Sequence, residues 1–219
     1  VKIARIAAPL RQQVIDALRA LIFEGTYRAG ERLVERELCE KIGVSRTLIR
    51  EALRQLEAEG LVTVIANKGP SVTKLNQKEA RDIYRARGLL ESYASQEFAE
   101  HGTAIQKAAI VRRCEQMRKA YERGDMRGVF QRKSEFYKEL IDGCGNAVIG
   151  SRLRGLLAQI SLLRAATLSE KGRVAEVIRE LEQIAAAIQA GKGRAAWKAS
   201  ARHVAKAEAT AMTVLAVTH

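Results

Sequence analysis

Long apolar runs, histidine, proline and aromatic rings are all scarce in this 219-residue chain, and the shortages narrow its function. No stretch approaches the roughly 18 uninterrupted apolar residues of a membrane span, and the opening VKIARIAAPLRQQV has no long apolar signal core. A cytoplasmic protein with no membrane partner is the expectation. Three histidines, His101, His203 and His219, are too few for most acid/base constellations, and no serine or cysteine has a histidine placed to activate it. An enzyme is therefore not expected. The three cysteines, Cys39, Cys114 and Cys144, are widely spaced and lack a CxxC pair, so they read as reduced thiols rather than a zinc knuckle or redox motif.

What is present fits two domains. The chain is 47% hydrophobic along its whole length, enough to build real cores. Its formal charge is +13, which makes a polyanion a natural partner. Residues 1–74 carry 13 Lys/Arg against 9 Asp/Glu, and residues 75–219 carry 25 against 16, so the larger excess lies in the second part.

Residues 9–24 place Val14, Leu18, Leu21 and Ile22 at helical spacing, and the glycines of GTYRAGERL end that helix. Residues 34–42 suit a second, short helix closed by Gly43, after which Ser45 offers an oxygen to cap a third. That third helix runs from Arg46 to Gly60 with Ile49, Ala52, Leu53 and Leu56 on one face and Arg46, Arg50 and Arg54 on another. LVTVI (61–65), a turn at NKGP (67–70) and SVTKL (71–75) then read as a hairpin. Helix, turn, helix and hairpin in this order describe a winged helix-turn-helix. Beyond Pro70 there is no proline, and the chain reads as amphipathic helices near 77–101, 103–123, 126–142, 146–168, 170–190 and 193–216. The predicted fold is mainly α: a winged helix-turn-helix with a small β-hairpin over 1–75 and an all-α bundle over 76–219.

Arginines in the first turn of the third helix work against its dipole, at a cost of about 0.3–1 kcal/mol. A helix-turn-helix places that turn in the major groove, where arginine donates two hydrogen bonds to a guanine edge, worth roughly 1–3 kcal/mol of discrimination. Arg46 and Arg50 are the candidates. A solvated basic face is the bland reading for an isolated helix, but the turn and hairpin around this one favour DNA.

Residues 31–75, ERLVERELCEKIGVSRTLIREALRQLEAEGLVTVIANKGPSVTKL, closely resemble the DNA-binding domain of the GntR family of bacterial regulators. The chain departs from the usual SRTPVREALRRLEAEGLV mainly in having Leu48 where proline is common, a first-turn position that tolerates either. The resemblance implies that Arg36, Arg46 and Arg50 contact bases or phosphates, that Ser45 and Thr47 touch the DNA backbone, and that Lys68 and Gly69 form the wing tip. A tight turn that approaches DNA has its own reason for glycine, which carries no Cβ.

The second part resembles, more weakly, the FCD ligand-binding domain of the FadR subfamily, through RARGLLE (85–91), FYKELIDGCGN (136–146) and AAIQAGKGRAAWKASARHV. Many members hold a divalent metal with an aspartate and three histidines, and the metal holds a carboxylate effector. Here the aspartate position falls on Lys133 and the first two histidine positions on Tyr137 and Leu181, leaving only His203. One imidazole does not make a transition-metal site, so neither a metal nor another cofactor is expected. Lys133 restores the one positive charge that an aspartate plus a divalent ion would leave. Arg87, Lys133 and His203 are then candidate partners for a small organic acid, with Tyr137 as a donor. The alternative is a pocket filled by Tyr137 and Leu181, in a domain that only dimerises.

The expected function is a sequence-specific regulator of transcription, a repressor, bound as a homodimer to an inverted-repeat operator in double-stranded DNA. A winged helix that binds RNA or protein is the alternative, and the arginines argue against RNA because an A-form major groove is too narrow for the helix.

Overall fold

The computed structural model describes residues 7–23, 25–65, 68–163 and 172–217. These divide into two compact units, one holding the described residues to Asn76 together with 158–163, the other 77–157 and 172–217.

The first unit contains α1 (Ala7–Phe23), α2 (Glu35–Ile42), α3 (Arg46–Ala58), β1 (Val62–Ile65) and β2 (Gly69–Val72). Its core joins Val14, Leu18 and Ile22 of α1 to Leu38 of α2, to Ile49, Ala52, Leu53 and Leu56 of α3, and to Leu61, Val62 and Val72 of the hairpin. The turn between α2 and α3 depends on Gly43, whose φ of 75° is left-handed and whose N–H returns to the Cys39 carbonyl at 2.9 Å. Two residues later, Ser45 begins α3 by accepting from the Leu48 N–H at 3.4 Å.

The hairpin is antiparallel, with Val62 opposite Val72 and Ile65 opposite Gly69. Its second strand starts earlier than the sequence suggests: Gly69 and Pro70 belong to β2 rather than to the turn. The hairpin's own ladder reaches that far, with Val64 opposite Pro70 and Ile65 opposite Gly69, and a second pairing edge supports it. Leu33 N–H donates to the Pro70 carbonyl at 2.8 Å and Val72 N–H to the Glu31 carbonyl at 2.9 Å, so β2 lies between β1 and the segment around Arg32. Asn67, also expected in the turn, lies outside the described residues.

The second unit is built of α4 (Gln77–His101), α5 (Ala104–Glu122), α6 (Met126–Gly143), the first part of α7 (Ala147–Ser161), α8 (Arg173–Gln189) and α9 (Gly193–Val217). Local caps set several starts. Thr103 and Gln106 form a reciprocal capping box on α5, Asp125 accepts from the Gly128 N–H on α6, and Asn146 Oδ1 accepts from Val148 and Ile149 N–H on α7. The helix expected over 146–168 stops at Ser161, where Leu162 and Leu163 N–H bond only three residues back and tighten the chain into a turn. Residues 164–168 and 170–171 of the expected helices lie outside the described residues.

The main core draws on Phe98, Ile110, Met117, Phe136, Leu140, Leu181, Ile184 and Ile188, and α9 runs along α4 with Ser95 Oγ and Ser200 Oγ 2.6 Å apart. Cys114 and Cys144 are buried free thiols and Cys39 is half-buried. No helix among the described residues is long and apolar enough to cross a membrane.

Phe98 shows how tightly this core is packed. Its ring lies against Gly143 at the end of α6, so closely that a Cβ added at Gly143 would fall 2.5 Å from ring carbons. Gly143→Ala is therefore expected to destabilise the protein by about 1–3 kcal/mol, as overpacking does, read as a lower urea midpoint at unchanged slope.

Candidate nucleic-acid interface and buried polar cluster

The amphipathic division of α3 decides which residues face outward. With Ile49, Ala52, Leu53 and Leu56 buried, Arg46 and Arg50 stand one turn apart on the open face with 61% and 57% of their side chains exposed. No acidic residue sits in the first turn of α3 to offset their charge. That offset comes from Glu35, the first residue of α2. The Arg50 Nε–H donates across both Glu35 carboxylate oxygens at 2.9 Å each, and Arg46 Nε lies 3.9 Å from the same carboxylate. Glu35 itself benefits from the positive end of the α2 dipole.

The other predicted contacts lie in the same unit. Arg36 is 76% exposed beside Glu40, Thr47 is exposed, and Ser45 is the α3 cap. Lys68 and Gly69 occupy the hairpin rather than α3. Lys68 is exposed and its N–H closes the turn onto the Ile65 carbonyl at 3.0 Å, while Gly69 has a φ of 79°, which only glycine adopts readily. Two functional candidates escaped the sequence reading. Glu35 is joined to α3 only by the tight turn, and Arg32, exposed with its guanidinium alongside Gly69, reaches the wing through pairing with Ser71, 39 residues along the chain.

In the second unit the structure brings Arg87, Tyr137 and His203 together from α4, α6 and α9. Arg87, 4% exposed, donates through Nε to Glu91 Oε2 at 2.7 Å and through Nη2 to the Tyr137 hydroxyl at 2.7 Å. The Tyr137 hydroxyl lies 3.0 Å from His203 Nε2, and His203 Nδ1 lies 2.7 Å from Glu180 Oε2. Because Glu180 only accepts, Nδ1 carries the hydrogen, and the Nε2 lone pair accepts from the Tyr137 O–H. Arg173 grips both Glu180 oxygens at 2.9 and 3.3 Å, and the partly exposed Lys206 reaches Oε1 at 3.3 Å. The Arg87 guanidinium also lies 5.5 Å from the Tyr137 ring centre and 5.9 Å from that of Tyr84. Two guanidinium groups face two carboxylates here, so the fully buried set is neutral when His203 is neutral.

The pKa directions follow from this arrangement. Burial pushes the Glu180 carboxyl up, but the bonds from His203 and Arg173 outweigh it and hold the group at about 2. Burial also pushes the His203 imidazole below its ordinary value, which Glu180 and Glu91 oppose and the charges of Arg87 and Lys133 reinforce. Lys133 is half-buried on α6, four residues before Tyr137. Glu91, Glu180 and Arg173, which complete the cluster, were not picked out from the sequence, although Glu91 stands one turn from Arg87 inside the RARGLLE segment.

These positions do not form a donor set for a divalent cation. Lys133 offers an ammonium, Leu181 is a fully buried hydrocarbon, and His203 Nε2 faces the Tyr137 hydroxyl and, at 3.3 Å, the Arg87 guanidinium. Among the described residues one group has ligand atoms within 4.8 Å of one another, Glu97, Glu100 and His101 on the last turns of α4, and two of its three members are exposed. A cavity of about 670 Å³ lies between α5 and α8, beside Cys114, Arg118 and Glu182, and none of the predicted anion partners lines it.

An exposed arginine pair at the start of the second helix of a winged helix-turn-helix, followed by an all-helical domain, defines a class of DNA-binding regulator. The sequence profile of the bacterial regulatory proteins of the gntR family matches residues 10–72, and that of the FCD domain matches residues 82–206. The HTH-type transcriptional regulator YdhC of Bacillus subtilis (strain 168) is 29% identical over 177 residues, 80% of this chain and 79% of the relative. The HTH-type transcriptional repressor RspR of Escherichia coli (strain K12) is 24% identical over 196 residues, 90% of this chain and 86% of the relative. Among solved structures, E. coli McbR/YncC has a TM-score of 0.82 at 21% identity, covering 93% of this chain and 97% of its own. The chain belongs to the GntR family of bacterial regulatory proteins, with an FCD domain as its helical part. It acts by binding DNA to regulate transcription, not by catalysis.

The buried imidazole makes a pH prediction. His203 has a folded pKa below its unfolded value of about 6.5, so below that pH the unfolded chain takes up a proton that the folded chain refuses. Stability should fall as pH drops from 7 toward 5, with a slope approaching about 1.4 kcal/mol per pH unit, and H203Q should flatten that slope. The Glu180 contribution is present above about 4.5 and is lost only as pH falls toward 2, a separate window. Thermal melts from pH 7 to 2 resolve the two.

Proposed function

We propose that this protein is a repressor that binds an inverted-repeat operator as a homodimer, reads it with Arg46 and Arg50, and responds to a small organic acid without a metal. The exposed arginine pair on α3 is the observation that carries the DNA part. Arg36, Ser45, Thr47, Lys68 and Gly69 supply the surrounding phosphate and groove contacts, which set affinity and salt dependence while the two arginines set sequence choice. Repression is supported by the repressor RspR, to which most of the chain is similar.

A second copy of the chain suits the apolar surface of the helical domain. Leu89 is 65% exposed and Tyr93 37% exposed one turn apart on α4, and Val148 of α7 is 72% exposed. The small acid is assigned to Arg87, Tyr137 and His203, with Lys133 beside them, because these are the cationic and donor groups that three helices converge on. One observation favours the other reading, a helical domain that only dimerises: Glu91 already gives Arg87 a carboxylate at 2.7 Å.

Arg50 is mostly exposed, so Arg50→Ala should leave the fold and melting temperature unchanged. It should abolish the preference for duplexes selected from a randomised pool, a loss of roughly 1–3 kcal/mol per half-site. An unchanged preference in the folded variant would remove Arg50 from the reading head. For the helical domain, melting temperatures against a panel of small carboxylates and sugar acids, with and without chelator, are expected to show one stabilising acid whose effect survives the chelator. Stabilisation that requires metal overturns the metal-free site, and a flat panel favours the dimerising role alone.

A further inference from the structure

Glu35 lies in no position that the family resemblance assigned to DNA, yet among the described residues its carboxylate is the acidic group that lies within 4 Å of both reading arginines. We propose that Glu35 is a positioning residue that determines specificity, by holding the Nε edge of Arg50 so that its two terminal nitrogens are presented to a guanine, and by discouraging contact with DNA that lacks the right base. The proposal rests on the assignment of Arg46 and Arg50 to the DNA.

The geometry supports the first role. A guanidinium has five N–H donors in a planar fork, and a guanine O6/N7 pair takes two of them. The Arg50 bonds to Glu35 are made by Nε, at 2.9 Å to each oxygen, which leaves the fork's terminal edge for the base. Arg46 and Arg50 are like charges one turn apart and would repel each other into separate rotamers. A carboxylate between them, itself only 26% exposed and anchored on the first turn of α2, offsets that repulsion, ties Arg50 to α2 by hydrogen bonds and attracts Arg46 from 3.9 Å. Side chains ordered before binding lose less freedom on meeting the correct base.

Electrostatics supports the second role. A duplex without the matching base offers the arginines mainly phosphates, and for that encounter a neighbouring carboxylate is a penalty. Phosphate contacts account for nearly all non-specific affinity, so Glu35 lowers that term while leaving the base contacts intact. Removing the carboxylate should therefore move the two affinities in opposite senses, which simple damage to α2 would not do.

The test uses the full-length chain, a duplex selected by it from a randomised pool, and a shuffled duplex of equal length. E35A should bind the shuffled duplex several-fold more tightly and the selected duplex about two-fold more weakly, cutting discrimination by roughly tenfold. E35Q, which keeps one acceptor oxygen for Nε, should retain more discrimination than E35A. Equal changes on both duplexes would reduce Glu35 to a general charge effect and overturn the proposal, as would no change on either. A lost preference at a single cytosine, with arginine-read positions intact, would also overturn it, since Glu35 would then be reading a base itself. If R50A keeps full discrimination, the assignment of the arginines fails instead, whatever the Glu35 variants show.

Discussion

The burial of one face of α3 is the constraint on which the DNA-binding unit depends. Ile49, Ala52, Leu53 and Leu56 are each at most 4% exposed, and their contacts with α1, α2 and the hairpin fix the rotation of the helix about its axis. A helix held in this way has no freedom over where its other side chains point, so Arg46 and Arg50 face outward. Leu56 alone, on full burial, contributes about 1.5–3 kcal/mol, far more than the dipole penalty of a basic first turn. The unfavourable placement of the arginines is sustained by the packing behind them, and Glu35 softens it further.

The helical unit solves a different problem. Arg87, Glu91, Arg173, Glu180 and His203 are all at most 6% exposed, and an isolated charge in such a place would be prohibitive. They coexist because every cation meets a carboxylate and because Tyr137 and a neutral His203 pass hydrogen bonds between the two ion pairs. In such a network the loss of one partner strands the next, which costs several kcal/mol. Where relatives of this domain are expected to gather ligands around a metal, this chain gathers guanidinium and carboxylate groups, and Leu181 joins the hydrocarbon core.

Shared features of the two units explain why the chain suits regulation. In each, rigid helices carry cationic groups whose charge is met by an internal carboxylate, Glu35 for the arginines of α3 and Glu91 for Arg87. A group already satisfied internally exchanges that partner only for one that is at least as good. The arrangement favours selectivity over raw attraction, despite a net charge of +13.

The sequence by itself determined the elements and their order. Helical spacing of apolar residues, Gly43, the Ser45 cap and the β-branched strand are local signals, and α2, α3 and α4 lie within a residue or two of their expected bounds. The outward stance of Arg46 and Arg50 was legible for the same reason, since residues one turn apart share a helix face in any fold. Only the tertiary structure decided what those side chains touch. Glu35 and Arg50 are 15 residues apart, Arg87 and Tyr137 are 50, and Arg87 and His203 are 116. Contacts at such separations depend on how helices cross rather than on periodicity along one of them. The second edge of β2 was decided likewise, by hydrogen bonds to the segment around Arg32 that close only when the folded backbone brings their donors and acceptors together.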